Sequence, residues 1–177
     1  FDPKLHAAMQ PYPPLGTLYA ASWLRERGYD VALFDAMLEP DETGWERALA
    51  GPEGAPEVAI LYEDNFNYLS KMCLLRMRQA ALTMIAAAAA RGVPVVVAGS
   101  DASDHAATYL DGGAAVVVSG EGEVTLVEAL DALASGTPWA PALGRWTASR
   151  SARPMAVSFA RGHARLFATW IGCRCRP

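Results

Sequence analysis

The chain has 177 residues, 52% of them apolar and 19% charged, which is enough to bury one core of ordinary size. Its net charge of −4 conceals an asymmetry: residues 1–131 hold all 19 acids against eight Lys and Arg, a balance of −11, whereas 132–177 hold seven arginines and no acid. No run reaches the ~20 consecutive apolar residues of a membrane span and no stretch reads as a secretory leader, so a cytoplasmic protein without a membrane partner is expected.

The opening, FDPKLHAAMQPYPPLG, carries Pro11, Pro13 and Pro14 and reads as an extended loop, because each ring fixes φ and restrains its predecessor. A helix is expected from about Leu15 to Arg27, with Leu15, Leu18, Tyr19 and Ser22 as its stripe and Gly28 ending it. Asp30–Asp35 then reads as a strand. A helix that feeds a strand with no strand before it points to a missing first, central strand, so the sequence is expected to start inside the first strand-to-helix loop. A short helix around Thr43–Leu49 and the turn-rich GPEGAP lead to a strand at Glu57–Tyr62, which ends in the loop EDNFNY. The next helix, about Leu69 to Arg91, places Leu69, Met72, Cys73, Arg76, Met77, Ala80 and Met84 at helical spacing, a stripe that reads as core rather than as a cofactor contact.

Two β-branched runs follow, in Pro94–Ala98 and Ala114–Val118, with a helix at about Ser103–Leu110 between them and a last helix at about Val124–Ala134 whose Leu126, Val127, Leu130 and Leu133 face inward. Apolar runs without alternation are the habit of parallel strands covered on both faces. The order of elements is that of a doubly wound α/β domain. In such sheets ligands bind at the carboxyl ends of the strands, and three strand ends converge there: EDNFN (63–67), GSDAS (99–103) and GEGE (120–123). Gly99, Gly120 and Gly122 would let a ligand approach the backbone. The plainer reading is that strand-to-helix turns need glycines and caps in any case.

Other chemistries find little support. No Walker loop, nucleophile–base pair or zinc spacing occurs; Cys73, Cys173 and Cys175 form neither a disulfide framework nor a CxxC pair, and Cys73 reads as core. Asp64 sits where receiver domains carry a phosphoacceptor, but no lysine follows the fifth strand. GEGE lacks the G-x-G-x-x-G spacing of a dinucleotide fingerprint. The tail has arginines without lysine or a recognisable module, so no nucleic-acid partner is expected.

Together, YPPLGTLYAASWLRERGYDVALFDA and AGSDASDHAATYLDGGAAVVVSGEGEVTLVEAL resemble the cobalamin-binding domain that precedes the catalytic barrel in B12-dependent radical SAM enzymes, over about residues 12–135. The resemblance implies a flavodoxin-like, Rossmann-like sheet of order 2-1-3-4-5 whose first strand is absent here, spanning 1–138. It implies cobalamin as cofactor, with a [4Fe–4S] cluster and S-adenosylmethionine held by a radical SAM barrel of the same parent chain, and a small-molecule substrate. Methyl transfer to an unactivated carbon is the commonest job of such enzymes, and no catalytic residue is expected within this chain. By position, Pro14, Leu15 and Gly16, with Glu63, Asp64 and Asn65, would face the corrin. Gly99, Ser100, Asp101, Gly120, Glu121, Gly122 and Glu123 would line its nucleotide tail. The Asp-x-His-x-x-Gly motif that supplies a cobalt ligand in methionine-synthase-like domains is absent; His6 lies in the corresponding loop without the pattern, and His105 lies on a helix, so no metal ligand is assigned. The rival is a non-catalytic nucleotide- or flavin-binding module of the same fold.

Residues 139–177 read as an irregular basic tail, either disordered or frame-shifted after about Gly144. Read from the third base of the Phe167 codon with GC-rich codons, the last residues become Arg-Asp-Leu-Asp-Arg-Leu-Pro-Leu-Pro-Ala, similar to the linker that joins these cobalamin domains to their barrel. Resequencing is expected to find a single-base insertion or deletion near codons 140–155.

Overall fold

The computed structural model describes residues 13–36, 38–39, 43–51, 55–62, 71–120, 122–135, 146–148 and 165–170. In chain order these form α1 (Leu15–Glu26), β1 (Asp30–Asp35), α2 (Thr43–Leu49), β2 (Val58–Tyr62), α3 (Lys71–Ala89), β3 (Val95–Ala98), α4 (Ser100–Asp104), α5 (Ala106–Asp111), β4 (Val116–Val118), α6 (Gly122–Ser135), β5 (Trp146–Ala148) and β6 (Arg165–Trp170). The fold is α/β, with helices on both faces of one sheet. Among the described residues no helix is long and apolar enough to cross a membrane.

The strand parity of the sequence divides the core into two layers. Val58 and Ile60 of β2, Val96 and Ala98 of β3, and Val116 and Val118 of β4 pack with Ala20, Ala21 and Leu24 of α1 and Leu126, Ala129 and Leu130 of α6. The alternate residues Ala59, Leu61, Val95, Val97 and Val117 face the other way, toward Trp45 and Leu49 of α2, Ala81, Met84 and Ile85 of α3, and Tyr109 of α5. Every residue of β3 and β4 is buried, as expected of strands covered on both sides.

Sheet order is β1-β6-β2-β3-β4-β5. β2, β3 and β4 are mutually parallel neighbours, and β5 closes the far edge antiparallel to β4. Between β1 and β2 lies β6, parallel to both, with Asp30–Asp35 level with Arg165–Trp170 on one side and Val58–Leu61 level with Leu166–Thr169 on the other. Within the stretch expected to be an irregular tail, residues 146–148 and 165–170 are strands of the main sheet, and the rest of 139–177 lies outside the described residues. The physical reason is the gap between β1 and β2, whose facing N–H and C=O groups need an extended partner. Backbone pairing asks only for an extended, proline-free run, so the strand can form whatever the origin of the tail's composition.

Three helix assignments also change. The inner face of α1 is Thr17, Ala20, Ala21 and Leu24, while Leu15 and Tyr19 are 72% and 60% exposed. Thr17, Ala20 and Ala21 let α1 lie close to the sheet, while Leu15 and Tyr19 turn outward, where Tyr19 stacks on Trp23 and the Arg27 guanidinium covers the Trp23 ring. The helix expected over 103–110 is two short pieces, α4 and α5, meeting at His105, whose φ of −126° interrupts helical geometry. α6 begins at Gly122, two residues earlier than expected, so half of the GEGE motif is its first turn. In α3, Met77 and Met84 are buried as the stripe predicts; Leu69 and the side chains of Met72, Cys73 and Arg76, like that of Leu133 in α6, lie outside those described.

Candidate functional site at the carboxyl edge

The parallel strands bring the ends of β2, β3 and β4 and the start of α1 to one edge. The Thr17 hydroxyl donates to the Tyr62 carbonyl (3.3 Å), tying the first turn of α1 to the last residue of β2. Pro14 is buried at the helix start, and its carbonyl accepts from the Leu18 N–H (2.9 Å). Leu15 projects into solvent beside it.

Two glycines give the edge its shape. Gly99 leaves β3 at φ 149°, ψ 169°, and Gly120 follows β4 at φ 79°, both conformations that L side chains rarely adopt. Nothing lies within 4 Å of where a Gly120 Cβ would stand, so the backbone there is open to an approaching group. Ser103 joins the two turns. Its hydroxyl donates to the Gly99 carbonyl (2.8 Å) and accepts from the Gly120 N–H (3.3 Å). Ser100, at the first position of α4, is exposed.

Gly122 is glycine for a different reason. A Cβ there would stand 2.9–3.3 Å from the Tyr62 ring, too close for the ring to remain. The Tyr62 hydroxyl donates to Glu123 Oε1 (3.1 Å), so the aromatic ring spans from the end of β2 to the first turn of α6. The room that glycine opens at 122 is therefore taken by Tyr62, whereas the room at 120 is free.

Asp101 faces inward. It is 8% exposed; Arg78 Nε donates to its Oδ2 (2.8 Å), Arg78 Nη2 to its Oδ1 (2.6 Å), and the buried Tyr109 hydroxyl to Oδ2 (2.7 Å). His105 Nε2 stands 3.9 Å from Oδ1. Burial alone would raise this carboxyl, but the Arg78 fork and the Tyr109 hydroxyl outweigh it and hold Asp101 below the ordinary carboxylate range. The same hydrogen bond raises Arg78. With both oxygens engaged, Asp101 anchors the Gly99–Ser103 turn from beneath.

Of the residues singled out in the sequence, the structure gathers Pro14, Leu15, Gly16, Gly99, Ser100, Gly120, Gly122 and Glu123 at this edge and places Asp101 under it. Glu63, Asp64, Asn65, Glu121 and His6 lie outside the described residues. Among the described residues no group of three or more His, Cys, Asp or Glu could hold a metal ion. Thr17, Tyr62, Arg78 and Ser103 were not singled out. Strand parity could have found Tyr62, since Val58, Ile60 and Tyr62 share the face on which α6 opens. Arg78 gives no local signal, because its partner is 23 residues away.

Comparison with family models, with curated proteins and with solved structures gives no match.

Proposed function

We propose that the carboxyl edge binds cobalamin and that the chain is the cobalamin module of a radical SAM enzyme. The observation that carries this reading is the juxtaposition, at one edge, of the Pro14–Gly16 turn, the Gly99–Ser100 turn, Gly120 and the Gly122–Glu123 start of α6, linked through Tyr62 and Ser103. The sheet is consistent with the flavodoxin-like order 2-1-3-4-5 if β6 stands where the first strand of that order stands.

The residues fit the group. The corrin is a broad, largely apolar ring fringed with amides; exposed Leu15 offers it an apolar contact, exposed Ser100 a polar contact for the amides, and the open space at Gly120 leaves room for the tail. Bound cobalamin supplies a methyl-carrying cobalt centre. The chain's own residues would bind and orient it: Ser103 keeps the two glycine turns together, Asp101 and Arg78 brace the first of them, and the Tyr62–Glu123 bond joins the end of β2 to the start of α6. The [4Fe–4S] cluster, S-adenosylmethionine and the small-molecule substrate belong in this reading to the barrel of the parent chain.

Ser100→Trp is the cleaner test of the site. Ser100 is exposed at a helix start, so the bulk obstructs the crevice without entering the core. Equilibrium dialysis against hydroxocobalamin is expected to show loss of binding with an unchanged melt. Gly120→Val is expected to lose binding as well, at an added cost of about 1 kcal/mol or more from its positive φ. Wild-type affinity in Ser100→Trp would place the ligand elsewhere, and retention of flavin or nucleotide in place of cobalamin would favour the rival binding module.

A further inference from the structure

The central position of the sheet is occupied by the strand most remote in sequence from its neighbours. β1 and β2 do not pair with one another; each pairs with β6. Two strands that share a middle neighbour stand about 10 Å apart, twice the inter-strand spacing, a gap that only another strand fills. The body on either side is built by residues 13–135: α1 packs on β1 and on α6, and β2 continues into β3 and β4. Residues 13–135 therefore form a slot with two facing rows of backbone donors and acceptors, the arrangement that recruits a strand from any chain able to present one.

The strand that fills the slot is joined to the rest of the chain by a long connection. Residues 149–164 separate β5 from β6, and 16 residues reach up to about 50 Å when extended. β5 and β6 are four strand positions apart, about 19 Å. A connection that long constrains the choice of slot little. The pairings β6 makes are backbone pairings in a fixed parallel register, and they are the same whether the strand comes from the same chain or from another copy. Charge acts in the same direction: the segment bearing β6 has seven arginines and no acid, and the body has a balance of −11, so the arm is drawn to an acidic body, its own or a neighbour's.

We propose that the slot between β1 and β2 is a strand-acceptor site and that a second copy of this chain is its partner, the two copies exchanging Arg165–Trp170. Each copy then completes the sheet of the other, and the carboxyl edge of each is finished by its partner's strand. Exchange of an identical element costs little in contacts, so the population is set by concentration and by the effective concentration of the tethered strand.

Two full-length variants test this. Ala168→Pro removes an N–H from the middle of the inserted strand, and Ile60→Pro does the same in the slot wall; the register sets Ala168 level with Ile60. Neither is expected to melt cooperatively alone. Refolded together from urea, the Ala168→Pro body is expected to take the intact strand of Ile60→Pro, giving a one-to-one complex of twice the chain mass and a cooperative melt absent from either component. Wild-type chain, in light and isotopically heavy forms, is expected to show mixed dimers by native mass spectrometry, more of them at higher protein concentration. A mixture of variants that behaves as the sum of its parts, with wild-type monomeric at every concentration, would overturn the proposal. If both variants aggregate before they can pair, the wild-type exchange decides it alone.

Discussion

Asp101→Ala is expected to lower the stability of the domain by about 3 kcal/mol or more, the scale seen when one partner of a buried ion pair is removed. The carboxylate accepts three hydrogen bonds at 2.6–2.8 Å, two from Arg78 and one from Tyr109, and its side chain is 7% exposed. Alanine removes the acceptor of both Arg78 bonds and of the Tyr109 hydroxyl's bond at 2.7 Å. Asp101→Asn keeps the shape but not the charge and is expected to fall between wild type and alanine. The pH dependence has a definite sign. Because the folded carboxyl sits below its ordinary value, the unfolded chain takes up this proton first as pH falls. The contribution is complete above the unfolded value of about 4 and is lost as pH falls through the folded value. Urea melts of wild type between pH 3 and 7 should show this acid-side loss, and Asp101→Asn should flatten it. A melt of Asp101→Ala within 0.5 kcal/mol of wild type, or a loss that begins above pH 6, would contradict this account of the cluster.

Trp45→Ala is expected to cost about 3–5 kcal/mol, the range for deleting a buried aromatic side chain. Trp45 is 1% exposed, packs at 5.4 Å between ring centroids on Phe34 of β1, and donates Nε1–H to the Met84 carbonyl of α3 at 2.9 Å. One side chain on a seven-residue helix thus links an edge strand to the long helix on the same face. Trp45→Phe restores much of the volume but not the donor and is expected to recover most of the loss, leaving about 1 kcal/mol. The thermal midpoints of the two variants separate packing from hydrogen bonding. Equal midpoints would show that the indole N–H rather than the volume matters.

Much of the sheet could be read from local composition, and the misreadings share a cause. Val95–Val97 and Val116–Val118 announce buried parallel strands because nothing in them is polar, and the helical stretch between them ends at Gly112. Helical spacing puts Leu15, Leu18, Tyr19 and Ser22 on one stripe of α1, but close packing on a sheet selects Thr17, Ala20, Ala21 and Leu24 and sends Leu15 and Tyr19 outward. Gly99 and Gly120 were recognisable as open turns from their place after strands. In the sequence Gly122 is indistinguishable from Gly120, and only the fold reveals that Tyr62, 60 residues earlier, fills the space beside it. Asp101 in a loop of glycine and serine reads as a ligand contact until Arg78 arrives from α3 to claim it. β6 holds one arginine and a short Leu-Phe-Ala run, too brief to mark a strand among the arginines around it, and its partners β1 and β2 are far away in sequence.

The reading of the carboxyl edge as a cobalamin site is tested most directly by titrating the intact chain with hydroxocobalamin and following visible absorption alongside gel filtration. The account predicts a saturable spectral change at one cobalamin per chain, with the colour eluting with the protein and lost from Ser100→Trp. A folded chain that leaves all of the cobalamin in the free fraction would contradict it.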